Sequence, residues 1–360
     1  MTTTSDSQNP HPDTPYLVVD STLLDANLSA MSARADHLGL DLRPHAKTHK
    51  SIDIARRQVA AGAVGLTVAT IGEAEVFAAA GFDDLFIAYP LWLSPNKVRR
   101  LHALASATRL RVGADSIPGV EQLAQALTGT GAEVLVEVDS GQHRTGTSPE
   151  EVVAVARSAI AMGLDVAGVF TFPGHGYGPG LRAQAADDEG AALADATRRL
   201  TEHGMAPRVI SGGSTPTVAA ADAGVLTEIR PGVYPFNDAQ QVELGTCDLA
   251  DVALVAVGTV VHRTEHTAVL DTGSKILGAD RPSWATGHGR LPDHPAARIV
   301  ALSEHHATVD FSTERAPDLG ARVRVAPNHV CTAVNLVDDL VVVRDGSAVA
   351  RWPVSARGRN

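Results

Sequence analysis

Lys47 stands in the run Arg43-Pro44-His45-Ala46-Lys47-Thr48-His49-Lys50, surrounded by other basic groups. Burial and neighbouring positive charge lower an amine's pKa and expose a nucleophilic nitrogen, so this lysine suits Schiff-base formation with a carbonyl compound. The plainer reading of a single lysine is a solvated surface charge, and Lys50 keeps that reading. Arg144 lies in Asp139-Ser140-Gly141-Gln142-His143-Arg144-Thr145-Gly146, just past Glu137. It either points a permanent charge at a ring nitrogen or carboxylate, or pairs with Glu137 or Asp139. Ser211-Gly212-Gly213-Ser214-Thr215 could bring backbone N–H groups close to phosphate oxygens, or form merely a tight turn and helix cap. Asn328-His329-Val330-Cys331 follows the β-type run Val323-Arg324-Val325-Ala326. If that segment stays extended, His329 and Cys331 share a face and offer imidazole and thiolate to Zn²⁺ or a similar borderline metal. Two protein ligands leave positions open for water or substrate, as in catalytic zinc; the plainer reading is a buried cysteine beside an ordinary histidine. The other histidines of this half are irregularly spaced, although the adjacent His305 and His306 would suit a proton relay.

Such residues need a frame, and the chain supplies a regular one. Between Leu40 and Pro231 short apolar runs alternate with Ala-rich amphipathic stretches, the pattern of repeated βα units. The pattern predicts eight strands: 40–43, 65–69, 85–88, 109–113, 133–138, 166–171, 208–211 and 228–230. Eight parallel strands suggest a closed α/β barrel, whose active site lies among the loops after the strands. All the polar runs above from Arg43 to Thr215 follow predicted strands, as do Pro173-Gly174-His175-Gly176-Tyr177 and Pro231-Gly232-Val233-Tyr234. Ser94-Pro95 and Ser148-Pro149-Glu150-Glu151 each offer a capping side chain followed by proline at the first helical position. After about residue 245 the segments 251–262, 267–271, 298–302, 321–326, 340–344 and 348–353 are short and β-branched, which predicts a separate all-β domain. The division expected is a loose tail over 1–13, a barrel over 14–245 and a β-domain over 246–360 that carries the metal pair.

The 360 residues hold 30 Lys+Arg against 41 Asp+Glu, a net charge of −11. That balance, with no basic run, argues against nonspecific nucleic-acid or anionic-membrane binding and for a small-molecule partner. Cys247 and Cys331 are too few for a disulfide framework, and no leader or long apolar run is present, so a soluble cytoplasmic protein is expected.

Together, the Lys47 run, the Asp-Ser-Gly-Gln-His-Arg144 loop, Ser-Gly-Gly-Ser-Thr, Arg-Pro-Gly-Val-Tyr234 and Pro-Asn-His329-Val-Cys331 resemble the D-serine dehydratase and D-threonine aldolase family. These are pyridoxal-phosphate enzymes related to alanine racemase, and the resemblance runs from about Thr14 to Val354. It implies a racemase-type (β/α)8 barrel followed by a β-domain, with the cofactor linked to Lys47. It further implies Arg144 at the pyridine nitrogen, Tyr177 beside the cofactor, and Ser214, Thr215, Gly232 and Val233 around its phosphate, with Tyr234 a neighbour. An arginine there disfavours ring protonation and weakens the electron sink, and a metal on His329 and Cys331 would compensate at the substrate's β-hydroxyl.

Two reactions on D-β-hydroxy amino acids follow from the resemblance. A D-serine dehydratase removes the Cα proton through Lys47 and expels the β-hydroxyl, giving a keto acid and ammonia. A D-threonine aldolase deprotonates the β-hydroxyl and breaks Cα–Cβ, giving glycine and an aldehyde. The His-x-Cys pair resembles the dehydratase branch, where the aldolase branch more often has His-x-Asp, so the dehydratase is expected first and the aldolase is the alternative. The thiolate favours Zn²⁺, with Mn²⁺ the alternative. A noncatalytic pyridoxal-phosphate carrier, as in the single-barrel relatives, fits less well because those lack the β-domain and the metal pair. A racemase would need a second base, commonly a β-domain tyrosine, and all four tyrosines precede residue 245. The resemblance also implies a homodimer.

Overall fold

The structure, a computed structural model, describes residues 12–360. The loose tail expected over 1–13 lies, up to residue 11, outside the described residues. The chain divides into two units. One comprises Ser29–Lys47, Ile54–Gly232 and Gly358–Asn360; the other comprises the stretch ending at Leu28, Thr48–Asp53 and Val233–Arg357.

The first unit is built on eight parallel strands: Asp41–Leu42, Leu66–Val68, Asp84–Ile87, Arg109–Ala114, Glu133–Glu137, Asp165–Phe170, Val209–Gly212 and Glu228–Ile229. Each predicted strand is present. Neighbours in sequence pair in parallel, and the eighth strand pairs with the first. A parallel bridge between His45 and Thr67 joins the first strand's exit to the second, which closes the barrel. Buried, mostly apolar strands of this kind are what a sheet covered by helices requires.

Two layers fill the interior. At the strand starts, Arg43 reaches Glu228 at 2.6 Å and also pairs with Asp84, while Arg111 joins Glu133 at 2.8 Å and Glu228 at 3.3 Å. Above them Phe86, Leu135, Ala167 and Phe170 pack together, with the two rings edge to face at 5.1 Å. The fully buried Arg230 guanidinium lies 5.6 and 5.3 Å from those rings and donates to Ser211 Oγ at 2.8 Å and to the Thr171 carbonyl. A charge buried this deeply persists only when it is hydrogen-bonded and matched by acids, and Glu228, Glu189 and Glu137 supply the opposite charge.

Helix starts follow the sequence at one site and depart at the other. Ser94 caps Pro95–Ala107 by accepting the Lys97 N–H at 3.3 Å. Ser148-Pro149 does not open a helix. It makes a turn closed by the Glu151 N–H on the Ser148 carbonyl, and the helix begins at Val152.

The second unit carries a nine-stranded sheet that contains all six predicted β-segments. Three further strands complete it: Tyr16–Asp20, Gly289–Arg290 and Ala307–Asp310. Tyr16–Asp20, which the sequence reading assigns to the barrel portion, instead pairs antiparallel with Leu254–Arg263 and in parallel with Asp339–Arg344. Tyr16 and Tyr234 therefore both belong to the β-unit, so chain position does not argue against a β-domain tyrosine. The Tyr16 hydroxyl accepts from Arg322 at 3.4 Å, and Tyr234 is buried. His305 and His306 sit exposed on a surface turn, with His305 3.4 Å from Lys275 Nζ, so the relay expected of them is not built.

Candidate active site

Phe172, immediately past the sixth barrel strand, organises the barrel mouth. Lys47 Nζ lies 5.4 Å from its ring centroid, Arg144 Cζ lies 5.5 Å from it, and the Tyr177 ring is 6.1 Å away, tilted by 38°. Three residues singled out from separate loops thus gather around one aromatic ring. Lys47 is half-buried, and its neighbours Ala46 and His45 are fixed by backbone bonds to Thr67 and Pro231. A half-buried lysine beside an aromatic ring, at the carboxyl end of a barrel, could serve as a nucleophile.

The Arg144 loop is preorganised. Asp139 turns its carboxylate onto its own loop, accepting the Gly141 and His143 N–H groups at 2.9 and 3.0 Å and the His143 ring at 2.7 Å. Against desolvation, these bonds hold Asp139 below the usual carboxylate range, and they show that it is not Arg144's partner. Gly146 has φ +101°, and a Cβ there would stand 2.6 Å from the Asp139 nitrogen, so only glycine lets the loop close. Thr145 donates to Glu137 at 3.0 Å. Burial, reinforced by Asp115, pushes Glu137 up to about 7 against the Thr145 hydrogen bond.

The glycine-rich loop after the seventh strand keeps two of its amides for itself. Gly213 N–H donates to Glu189 at 2.8 Å, and Ser214 N–H donates to Thr217 Oγ1 at 3.0 Å. The tight turn is therefore present, and the Gly213 and Ser214 amides are both bonded within the protein. Ser214 and Thr215 are buried, Gly232 is half-buried at the end of the barrel unit, and Val233 is buried at the start of the β-unit. Glu189 is buried completely, which pushes its carboxyl up to about 7.

In the β-unit, His329 and Cys331 come together by a route the sequence reading did not foresee. The segment does not stay extended. His329 keeps strand-like angles but serves as N-cap of the helix Val330–Asn335, and Cys331 sits in that helix's first turn. Asp238, fully buried, fixes this start by accepting the Val330 N–H at 3.1 Å and standing 3.6 Å from His329 Nδ1. Charge on Cys331 and the bond to Asp238 raise His329 well above the usual imidazole range in spite of desolvation. The Cys331 sulfur is hydrogen-bonded to Thr48 Oγ1 at 3.2 Å, and Thr48 follows Lys47 in sequence. Imidazole and sulfur, with a buried carboxylate behind the imidazole, could hold a divalent metal with positions left open. Among the described residues no cluster of three or more His, Cys, Asp or Glu forms a closed cage.

Beyond the predicted residues the structure brings in Phe172, Glu137, Glu189, Asp238 and a His175–Asp188 pair at 3.1 Å. Pro173, Gly174 and His175 follow a predicted strand and were singled out at the mouth, whereas Phe172, one residue earlier, was not. Asp238 carried no local signal, because its partner lies far along the chain.

This architecture, a parallel barrel with a lysine at its mouth and a mostly antiparallel sheet, defines the alanine racemase fold class. Residues 19–239 match the family model described as alanine racemase, N-terminal domain, and residues 253–343 match a putative serine dehydratase domain. The chain belongs to that family, and within it to the pyridoxal-phosphate-dependent D-threonine aldolase and D-hydroxyaspartate dehydratase type. It is 36% identical to a D-threonine aldolase of Arthrobacter sp., covering 96% of this chain and 93% of that one. It is 33% identical to a D-threo-3-hydroxyaspartate dehydratase of Delftia sp., covering 94% and 96%. A D-threonine aldolase structure from Filomicrobium marinum superposes with a TM-score of 0.88 at 30% identity, covering 96% and 95%. A cysteine variant of the dehydratase is known in a metal-free form. No helix among the described residues is long and apolar enough to cross a membrane.

Proposed function

We propose that this protein is a pyridoxal-phosphate- and metal-dependent lyase acting on D-β-hydroxy amino acids by β-elimination, as a D-serine dehydratase does. The observation that carries the reading is the meeting of Lys47 and Arg144 on the Phe172 ring. When bound, pyridoxal phosphate supplies an electron sink for negative charge at the substrate's Cα. Lys47 Nζ would hold the cofactor and would take the substrate's Cα proton. Arg144 would face the ring nitrogen, Phe172 and Tyr177 would supply the apolar wall, and Ser214, Thr215, Gly232 and Val233 would hold the phosphate, with Tyr234 beside them.

His329 and Cys331 are the residues that would hold the divalent metal, which supplies Lewis-acid polarisation of the substrate's β-oxygen. A thiolate with an imidazole suits Zn²⁺ better than Mn²⁺. Asp238 orients the imidazole, and the thiol is hydrogen-bonded to Thr48, the residue after Lys47 in sequence. We place the protein in the cytoplasm as a homodimer.

Retro-aldol cleavage is the second reading, favoured by the full-length similarity to the Arthrobacter aldolase. D-Threonine separates the two chemistries. NMR of the products formed with pyridoxal phosphate and Zn²⁺ should show 2-oxobutyrate and ammonia. Glycine with acetaldehyde would establish the aldolase instead, and unchanged substrate across D-serine, D-threonine and D-3-hydroxyaspartate would remove both.

A further inference from the structure

Glu137 ends the fifth barrel strand at the mouth. Strand alternation puts Glu133, Leu135 and Glu137 on one side. Leu135 packs with Phe86 and Phe170 in the barrel core, and Glu133 joins the ion network at the strand starts, so Glu137 faces the interior directly beneath the mouth. Its residue is 5% exposed, Oε1 accepts from Thr145, and Oε2 is buried with no hydrogen-bond partner. An orphaned buried carboxylate oxygen is costly and marks a position kept for another purpose.

The charged groups facing it are Arg144 from its own loop, Asp115 from beyond the fourth strand, and Arg230 from beyond the eighth. Arg230 is committed to Ser211 and Thr171. Asp115 accepts the Gly146 N–H at 3.4 Å, so the two residues that follow Arg144, Thr145 and Gly146, are each tied to an acid. Arg144 itself is exposed, and its guanidinium is the uncommitted donor of this group.

We propose that Glu137 is the positioning residue of Arg144: its open oxygen receives the guanidinium, fixes the direction of that charge, and sets how strongly it is felt by the ring bound above Phe172. The proposal rests on the assignment of Arg144 to the ring nitrogen made above. When Glu137 is neutral the full guanidinium charge opposes protonation of a facing nitrogen; when Glu137 is ionised the charge is compensated. The ring's electronic state is thereby tied to a carboxyl that titrates at about 7.

The test is a pH titration of the cofactor's absorbance in the full-length protein loaded with pyridoxal phosphate. Wild type should show an inflection near neutrality. Glu137→Gln should take up the cofactor but lose that inflection, and Glu137→Asp should restore it. Thr145→Val, which removes a hydrogen bond favouring the carboxylate, should move the inflection upward by about one pH unit. An unchanged inflection in Glu137→Gln, or no movement in Thr145→Val, overturns the proposal while leaving the lysine and arginine assignments intact. Failure of wild type to take up pyridoxal phosphate overturns those assignments and this proposal with them.

Discussion

Replacing Glu189 with glutamine should change how the protein's stability depends on pH, and the direction follows from burial. Glu189 is 1% exposed, and desolvation, opposed by the Gly213 N–H and by Arg230, raises its carboxyl from about 4.5 to about 7. A carboxyl whose folded pKa is raised is ionised earlier in the unfolded chain. Its contribution is fully present below about 4.5, declines as pH rises, and reaches a constant penalty above about 7. The span from 4.5 to about 7 corresponds to about 3 kcal/mol at most, since each pKa unit is worth about 1.4 kcal/mol. Glutamine can still accept the Gly213 N–H but does not titrate, so it should remove this slope. Thermal unfolding of Glu189→Gln and wild type at pH 5 and pH 8 provides the assay. The variant should gain about 3 °C relative to wild type at the higher pH over its difference at the lower. Parallel shifts at both pH values would show that Glu189 is ionised throughout and refute the reasoning.

Lys47→Ala should leave no protein link reducible by borohydride after incubation with pyridoxal phosphate, as mass spectrometry would reveal; a persisting link assigns the lysine elsewhere. Phe172→Ala should weaken cofactor binding about 5- to 10-fold by equilibrium titration, because an aromatic wall and its cation contacts contribute about 1 kcal/mol or more. Cys331→Ala should reduce Zn²⁺ affinity by at least about 100-fold while sparing cofactor uptake, and Asp238→Asn should cost about 10-fold. Calorimetry with the metal alone reads both, and unchanged affinity removes the site. Cys247 is pushed up to about 12 by burial and by Asp238, Asp251 and Asp248, so iodoacetamide at pH 8 should leave it unmodified in the native protein.

The barrel was legible because its signal is local. Each strand is a short apolar run followed by an amphipathic helix, and all eight appear within a few residues of their predicted places. Mouth residues were legible for the same reason, since Lys47 and Arg144 follow strands directly. Gly289–Arg290, only two residues long, carried no alternation to read. Tyr16–Asp20 read as part of the barrel because nothing within five residues says which sheet will accept its hydrogen bonds. The helix at Val330 was missed because its start is capped by Asp238, distant in sequence, rather than by a local Ser or Thr.

The amino-acid sequence by itself determined the barrel rhythm, the change to β-structure after about residue 245, and the candidate lysine, arginine, histidine and cysteine, because backbone periodicity and side-chain chemistry are properties of short segments. Only the tertiary structure decided that Lys47, Arg144 and Tyr177 meet on Phe172. It alone buried Glu137 and Glu189 deeply enough to titrate near neutrality, and committed the Gly213 amide to a carboxylate instead of leaving it for a ligand. Those outcomes depend on desolvation and on contacts between residues far apart in the chain, and neither exists until the chain has packed.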